Sequence, residues 1–98
     1  MTIEKKGNGS ELTISLTGRL DTNTAPQLEA ELKAACEGLT KLVLDFSVLS
    51  YLSSAGLRVL LAAQKIMNKQ GEMIICNANE YILEIFDVTG FRDILTIV

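Results

Sequence analysis

The sequence predicts an α/β fold: a small mixed, mainly parallel sheet with helices packed along it, in the order ββαβαβαβ. Two observations carry that prediction. Short apolar runs of strand character alternate with segments of helical period along nearly the whole chain. Three successive strand–helix–strand units then imply parallel neighbours joined by right-handed crossovers. The length of 98 residues fits one domain, expected to span 1–98.

The elements follow in order. Thr2 to Lys6 is a weak strand, expected to pair through the turn Gly7-Asn8-Gly9-Ser10 with Glu11–Thr17, which alternates apolar and polar residues. Gly18-Arg19-Leu20-Asp21 is expected to be a loop. Thr24-Ala25-Pro26-Gln27 has the pattern of a helix start, with Thr24 and Gln27 spaced as a capping box and Pro26 in the first turn. Leu28, Leu32, Ala35 and Cys36 form an apolar stripe, and Gly38 ends the helix.

Lys41-Leu42-Val43-Leu44-Asp45-Phe46 is a nearly continuous apolar run, as expected of a strand buried on both sides. A short loop should carry the chain to Ser53 and Ser54, followed by a helix with Leu57, Leu60, Leu61 and Met67 inward and Gly71 at its close. Glu72–Cys76 is a further buried strand. Asn77 or Asn79 caps a third helix bearing Ile82, Ile85 and Phe86, which stops near Gly90, and Ile94–Val98 is the last strand.

Composition excludes several classes. Hydrophobic residues at 48% and charged residues at 21% are close to globular averages, so a disordered chain is not expected. Net charge is −3 and the basic residues are scattered, so no nucleic-acid footprint is visible. No apolar run approaches a membrane span, and Met1–Lys6 has no secretory apolar stretch; the chain is expected in the cytoplasm. With no histidine at all, a histidine-dependent triad and imidazole metal sites are ruled out. Cys36 and Cys76 read as small buried hydrophobes in a reducing compartment. No cofactor is expected.

The most informative segment is Leu44-Asp45-Phe46-Ser47 followed by Ser53-Ser54-Ala55-Gly56, which leads from a strand into a helix N-terminus. Ligands of open α/β sheets gather at that end of the strands, and helix N-termini favour anions. A plain helix cap explains the same residues: Ser53 or Ser54 satisfies a backbone donor and Gly56 permits close packing. Without histidine, and with no lysine nearby in sequence, Ser54 lacks the base a nucleophile needs. Asp21 is a carboxylate at the same sheet end, or else a loop residue. Asp45 could pair with it as an acid/base couple, or be a hydrogen-bonded structural aspartate. Thr22, Asn23 and Thr24 are turn and capping residues. Arg58 and Lys65 share a helix face with Asn68 nearby, either as a partner surface or as solvated charge.

Gly18-Arg19-Leu20-Asp21, Leu44-Asp45-Phe46-Ser47, Tyr51-Leu52-Ser53-Ser54-Ala55-Gly56-Leu57, Gln70–Cys76 and Ile85–Phe91 occur in order and at characteristic spacing. Together, over essentially the whole chain, they resemble the bacterial anti-sigma factor antagonists, single-domain members of the STAS family. The resemblance implies a non-enzymatic partner switch. The dephosphorylated form binds an anti-sigma factor and so frees a sigma factor; that partner, often itself a serine kinase, phosphorylates the antagonist, and a serine phosphatase reverses the modification. By position the phosphoacceptor falls on Ser54, with Ser53 the alternative. The partner-binding surface falls on Asp21, Thr22, Asn23, Ser53, Ala55, Gly56 and Arg58. Many antagonists carry Asp immediately before the phosphoacceptor, where this chain has Ser53. A STAS subunit of a lipid-transport complex or a signalling scaffold is the alternative role, and a small enzyme using Asp21, Asp45 and a metal is a third reading.

Overall fold

A two-residue turn at Gly9 and Ser10 starts the sheet in a computed structural model that describes residues 1–98. Gly9 takes φ +66°, a conformation glycine adopts without a Cβ penalty. Strand β1 (Thr2–Asn8) therefore runs two residues beyond Lys6 and pairs antiparallel with β2 (Glu11–Leu20). The Lys5 ammonium reaches Glu31 at 2.7 Å and ties this edge to the first helix.

Helix α1 (Ala25–Ala35) is followed by β3 (Lys41–Leu52), α2 (Ser54–Asn68), β4 (Glu72–Cys76), α3 (Glu80–Thr89), one 3-10 turn (Phe91–Asp93) and β5 (Thr96–Ile97). The expected order of elements and the α/β class are those observed. Strands lie in the order β1-β2-β3-β4-β5, with β2 through β5 parallel. Each crossover steps one strand in the same direction, so crossovers of one hand put every helix on the same face of the sheet.

Burial bears this out and corrects one expectation. Ile14, Leu44 and Ile75 are register neighbours, as are Leu42 and Met73, and all five are buried under the helices. Their alternates Thr13, Ser15, Val43, Asp45, Ile74 and Cys76 are only half-buried. β3 and β4 are thus buried on one face, not both. Val43 and Ile74 made the runs look continuous although they lie on the uncovered side.

The core under α1, α2 and α3 comprises Leu28 and Leu32, Leu57, Leu60, Ala63 and Met67, and Ile82 and Phe86; Leu61 is half-buried. Two close approaches fix how α2 sits. A Cβ at Gly71 would lie 1.9 Å from the Thr40 carbonyl oxygen, so the turn after α2 needs glycine for contact as well as for stopping the helix. The Gln70 side-chain amide donates to the carbonyls of Cys36 at 2.5 Å and Leu39 at 2.7 Å, joining that turn to the end of α1. No helix is long and apolar enough to cross a membrane.

Three local expectations change. Gly18–Leu20 is strand, because β2 stays paired with β3 up to Leu20↔Leu52. Residues 47–52 are likewise strand. Irregularities between Ser15 and Thr17 and between Gly18 and Arg19 break the period-two pattern and hide both extensions. The last strand shrinks to Thr96–Ile97, since Gly90 at φ +78° ends α3 and leads into the 3-10 turn.

Candidate functional site

Pairing of Arg19 with Tyr51 and Leu20 with Leu52 brings the carboxyl ends of β2 and β3 together. The Ser53 backbone N–H donates to the Leu20 carbonyl at 2.9 Å, so the start of α2 is bonded directly to the end of β2. Asp21 and Ser53–Ser54 thereby come to one end of the sheet, as expected.

Ser53, in extended conformation at φ −99° and ψ 173°, is the N-cap of α2, and its Oγ accepts from the Gly56 N–H at 3.3 Å. Ser54 is the first helical residue; its side chain is exposed and its hydroxyl forms no hydrogen bond within the chain. The two serines are therefore distinct: one is occupied in the cap and half-buried, the other is free. Gly56 is buried, with its missing side chain's place taken by Leu52 Cδ1 at 2.7 Å and Leu20 Cγ at 2.8 Å from where a Cβ would stand. It seats the helix on the strands and does not open the helix terminus. Ala55, half-buried beside it, faces α1 instead.

Asp21 organises the turn between β2 and α1. Its Oδ1 accepts from the N–H groups of Asn23 at 2.9 Å and Thr24 at 3.1 Å, and from the Thr24 hydroxyl at 3.3 Å. Partial desolvation pushes its pKa up, but the Thr24 and Asn23 N–H groups, the Thr24 hydroxyl and Arg19 outweigh it and hold the carboxyl below its ordinary value. Thr24 does not cap α1 as the capping-box spacing suggested. Its Oγ1 accepts from the Asp21 N–H at 2.9 Å and shares its one proton between the Arg19 carbonyl at 2.8 Å and the more distant Asp21 Oδ1, and its backbone is helical rather than extended. Thr22 and Asn23 are exposed at the tip of this turn.

Asp45 does not join Asp21. It lies one strand over, paired in register with Ser15, and its Oδ1 accepts from the Ser47 N–H at 3.0 Å and the Asn77 side-chain amide at 3.1 Å. Those donors, Ser47 first, hold its pKa low. The pair is not arranged as an acid/base couple, and no group of three or more His, Cys, Asp or Glu side chains is placed to hold a metal. Burial raises the Cys36 thiol pKa, and burial followed by Asp45 raises that of Cys76; Cys76 is half-buried rather than fully enclosed. Asn79, not Asn77, caps α3: its Oδ1 accepts from the Ile82 N–H at 2.8 Å.

Arg58 projects from the first turns of α2 into a groove of about 280 Å³ between α1 and α2, lined also by Thr22, Pro26, Glu29 and Ala55. The groove continues along the helices past Leu32, Ala62 and Ile66. Lys65 and Asn68 lie further along α2, where Asn68 accepts from Gln64 at 2.7 Å.

One cluster was not foreseen. The Arg19 guanidinium lies 4.0 Å from the centre of the Tyr51 ring, and Tyr51 stacks on Tyr81 of α3 with centroids 6.0 Å apart. Arg19 also approaches Asp21 at 3.7 Å. Only the β2–β3 register and the position of the α3 N-terminus bring these residues together, and neither is written in local sequence.

Comparison with known proteins places this arrangement. The chain is 41% identical over 88 residues to BtrV of Bordetella bronchiseptica, named as a candidate anti-sigma factor antagonist, a match covering 88% of this chain and 76% of BtrV. It is 30% identical over 96 residues to the anti-sigma-B factor antagonist of Bacillus subtilis, covering 97% of this chain and 88% of that one. Among solved structures, the anti-sigma factor antagonist SpoIIAA in its unphosphorylated form matches with a TM-score of 0.78 at 19% identity, covering 99% of this chain and 87% of SpoIIAA. The phosphorylated form of SpoIIAA, a Bacillus cell fate determinant, matches with a TM-score of 0.77 at 20% identity, covering 99% and 91%. The STAS domain family itself matches residues 2–98, so from the edge hairpin to the last strand this chain belongs to the STAS domain family.

Proposed function

We propose that this chain is an anti-sigma factor antagonist: a cytoplasmic, non-enzymatic single-domain module that binds an anti-sigma factor and is released when Ser54 is phosphorylated. The observation that carries the reading is the contrast between the two serines. Ser54 offers an exposed, unbonded hydroxyl at the first position of α2, while the Ser53 hydroxyl is held by Gly56. Relatives named as anti-sigma factor antagonists at 30% identity and above support the role.

In the proposed cycle the partner is also a serine kinase. The γ-phosphoryl group of ATP passes to Ser54 Oγ, the hydroxyl proton goes to the kinase, and ADP leaves; a serine phosphatase hydrolyses the ester. The partner surface comprises Asp21, Thr22 and Asn23 in the β2–α1 turn together with Ser53, Ala55, Gly56 and Arg58 around the start of α2. Gly56 acts from beneath, by setting the position of the helix. A phosphate there adds about −1.5 to −2 charges at the same end of the sheet as Asp21, and bringing that negative charge against an acidic partner surface is disfavoured by several kcal/mol. Because a helix start already suits an anion, the fold need not rearrange.

The test is incubation with the cognate kinase and ATP, followed by mapping of the modified residue by mass spectrometry. Wild type and Ser53→Ala should each take up one phosphate at position 54, and Ser54→Ala none. Phosphate appearing on Ser53, or undiminished uptake by Ser54→Ala, would overturn the assignment.

A further inference from the structure

We infer that Arg58 is an intramolecular receptor for the phosphate on Ser54, so that modification both adds charge and withdraws a cation from the α1–α2 groove. The inference rests on the reading of Ser54 above and deepens it. Ser54 and Arg58 are four residues apart on α2, and both are exposed. Residues at this spacing stand one above the other with Cβ atoms about 5–6 Å apart. Helical side chains lean back toward the N-terminus, so Arg58, one turn further on, covers the surface over Ser54. An anion followed four residues later by a cation is also the favourable order along a helix.

Arg58 is available for this role. It forms no ion pair in the chain, whereas Arg19 approaches Asp21, and Arg92 approaches Asp87. The acidic groups around it come from two elements. Glu29 of α1 lines the same groove but is engaged by Lys33 at 3.3 Å, and Asp21 in the β2–α1 turn is saturated at Oδ1 and faces Arg19 at Oδ2. A phosphate dianion presents three acceptor oxygens to a guanidinium fork, a better match than a single carboxylate already shared with a lysine.

The groove gives the pairing a consequence. In the unmodified chain Arg58 lines its mouth with Thr22, Pro26, Glu29 and Ala55. Drawn onto the phosphate, it leaves that mouth to Glu29 and changes the local charge a partner meets. Release then combines the bulk and residual negative charge of the phosphate–Arg58 pair with the absence of a cation at the groove mouth.

The test uses full-length chain with phosphoserine installed at position 54 by genetic encoding, and 31P NMR titration of the phosphate. Arg58 should lower the second phosphate pKa, so Arg58→Gln should raise it by roughly 0.3 unit or more, with Arg58→Lys restoring part of the difference. An unchanged pKa in Arg58→Gln would overturn the pairing. The affinity ratio between hydroxyl and phosphate forms for the anti-sigma factor should be smaller in Arg58→Gln than in wild type; an equal ratio would overturn the withdrawal from the groove. The titration needs no kinase, so failure of Ser54 to be modified by one is read separately from failure of the pairing.

Discussion

At residue scale the site is governed by small differences between neighbours. Ser53 and Ser54 carry the same hydroxyl, yet the extended backbone of Ser53 turns its Oγ onto the Gly56 N–H while Ser54 enters the helix with its side chain in solvent. Replacing Ser53 with alanine removes a cap of about 1 kcal/mol, whereas Ser54→Ala should leave stability within about 0.5 kcal/mol. Gly56 is the third member of the group. A methyl group there would press on Leu20 and Leu52, both nearly fully buried, so Gly56→Ala should cost about 1–3 kcal/mol in urea unfolding and weaken partner binding by displacing the start of α2. An unchanged urea midpoint would show that the leucines yield without cost. Sequence could offer a glycine and two serines here, but it could not say which serine caps, because that depends on where β3 ends.

The elements explain how far the sequence was legible. Helices were readable where a cap and a period agreed, as for α3, where Asn79 holds the Ile82 N–H and Ile82 and Phe86 face inward. Asn79 also donates to the Leu49 carbonyl at 3.2 Å, pinning α3 to the extended part of β3. Asn79→Ala should therefore cost about 1–2 kcal/mol and loosen the Tyr51–Tyr81 stack, measurable as faster amide exchange in the first turn of α3. Protection equal to wild type would contradict that coupling. Strand ends were not legible where β2 and β3 slip against each other. Past Phe46 the buried residues are Leu49 and Leu52, a spacing of three that fits neither period two nor a continuous buried run. The same slip hid the Arg19–Tyr51 contact. For the acidic residues the sequence left a local and a functional reading open, and only the folded turn and strand show Asp21 and Asp45 each turned onto nearby N–H groups.

For the whole molecule, the sheet order β1-β2-β3-β4-β5 segregates the chain into a helical side that holds the core and an open side of half-buried residues. The proposed switch sits at the rim between them, at the carboxyl ends of β2 and β3, where a charge can be added without entering the core. With that placement, phosphorylation should change partner affinity while the fold persists. The most direct test is the dissociation constant of the anti-sigma factor for this chain with a hydroxyl or a phosphoserine at position 54, measured by calorimetry alongside backbone chemical shifts. Phosphorylation should lower the affinity on the order of 100-fold, with shift changes confined to the start of α2, the β2–α1 turn and the facing part of α1. Equal affinities for the two forms would contradict the proposed switch.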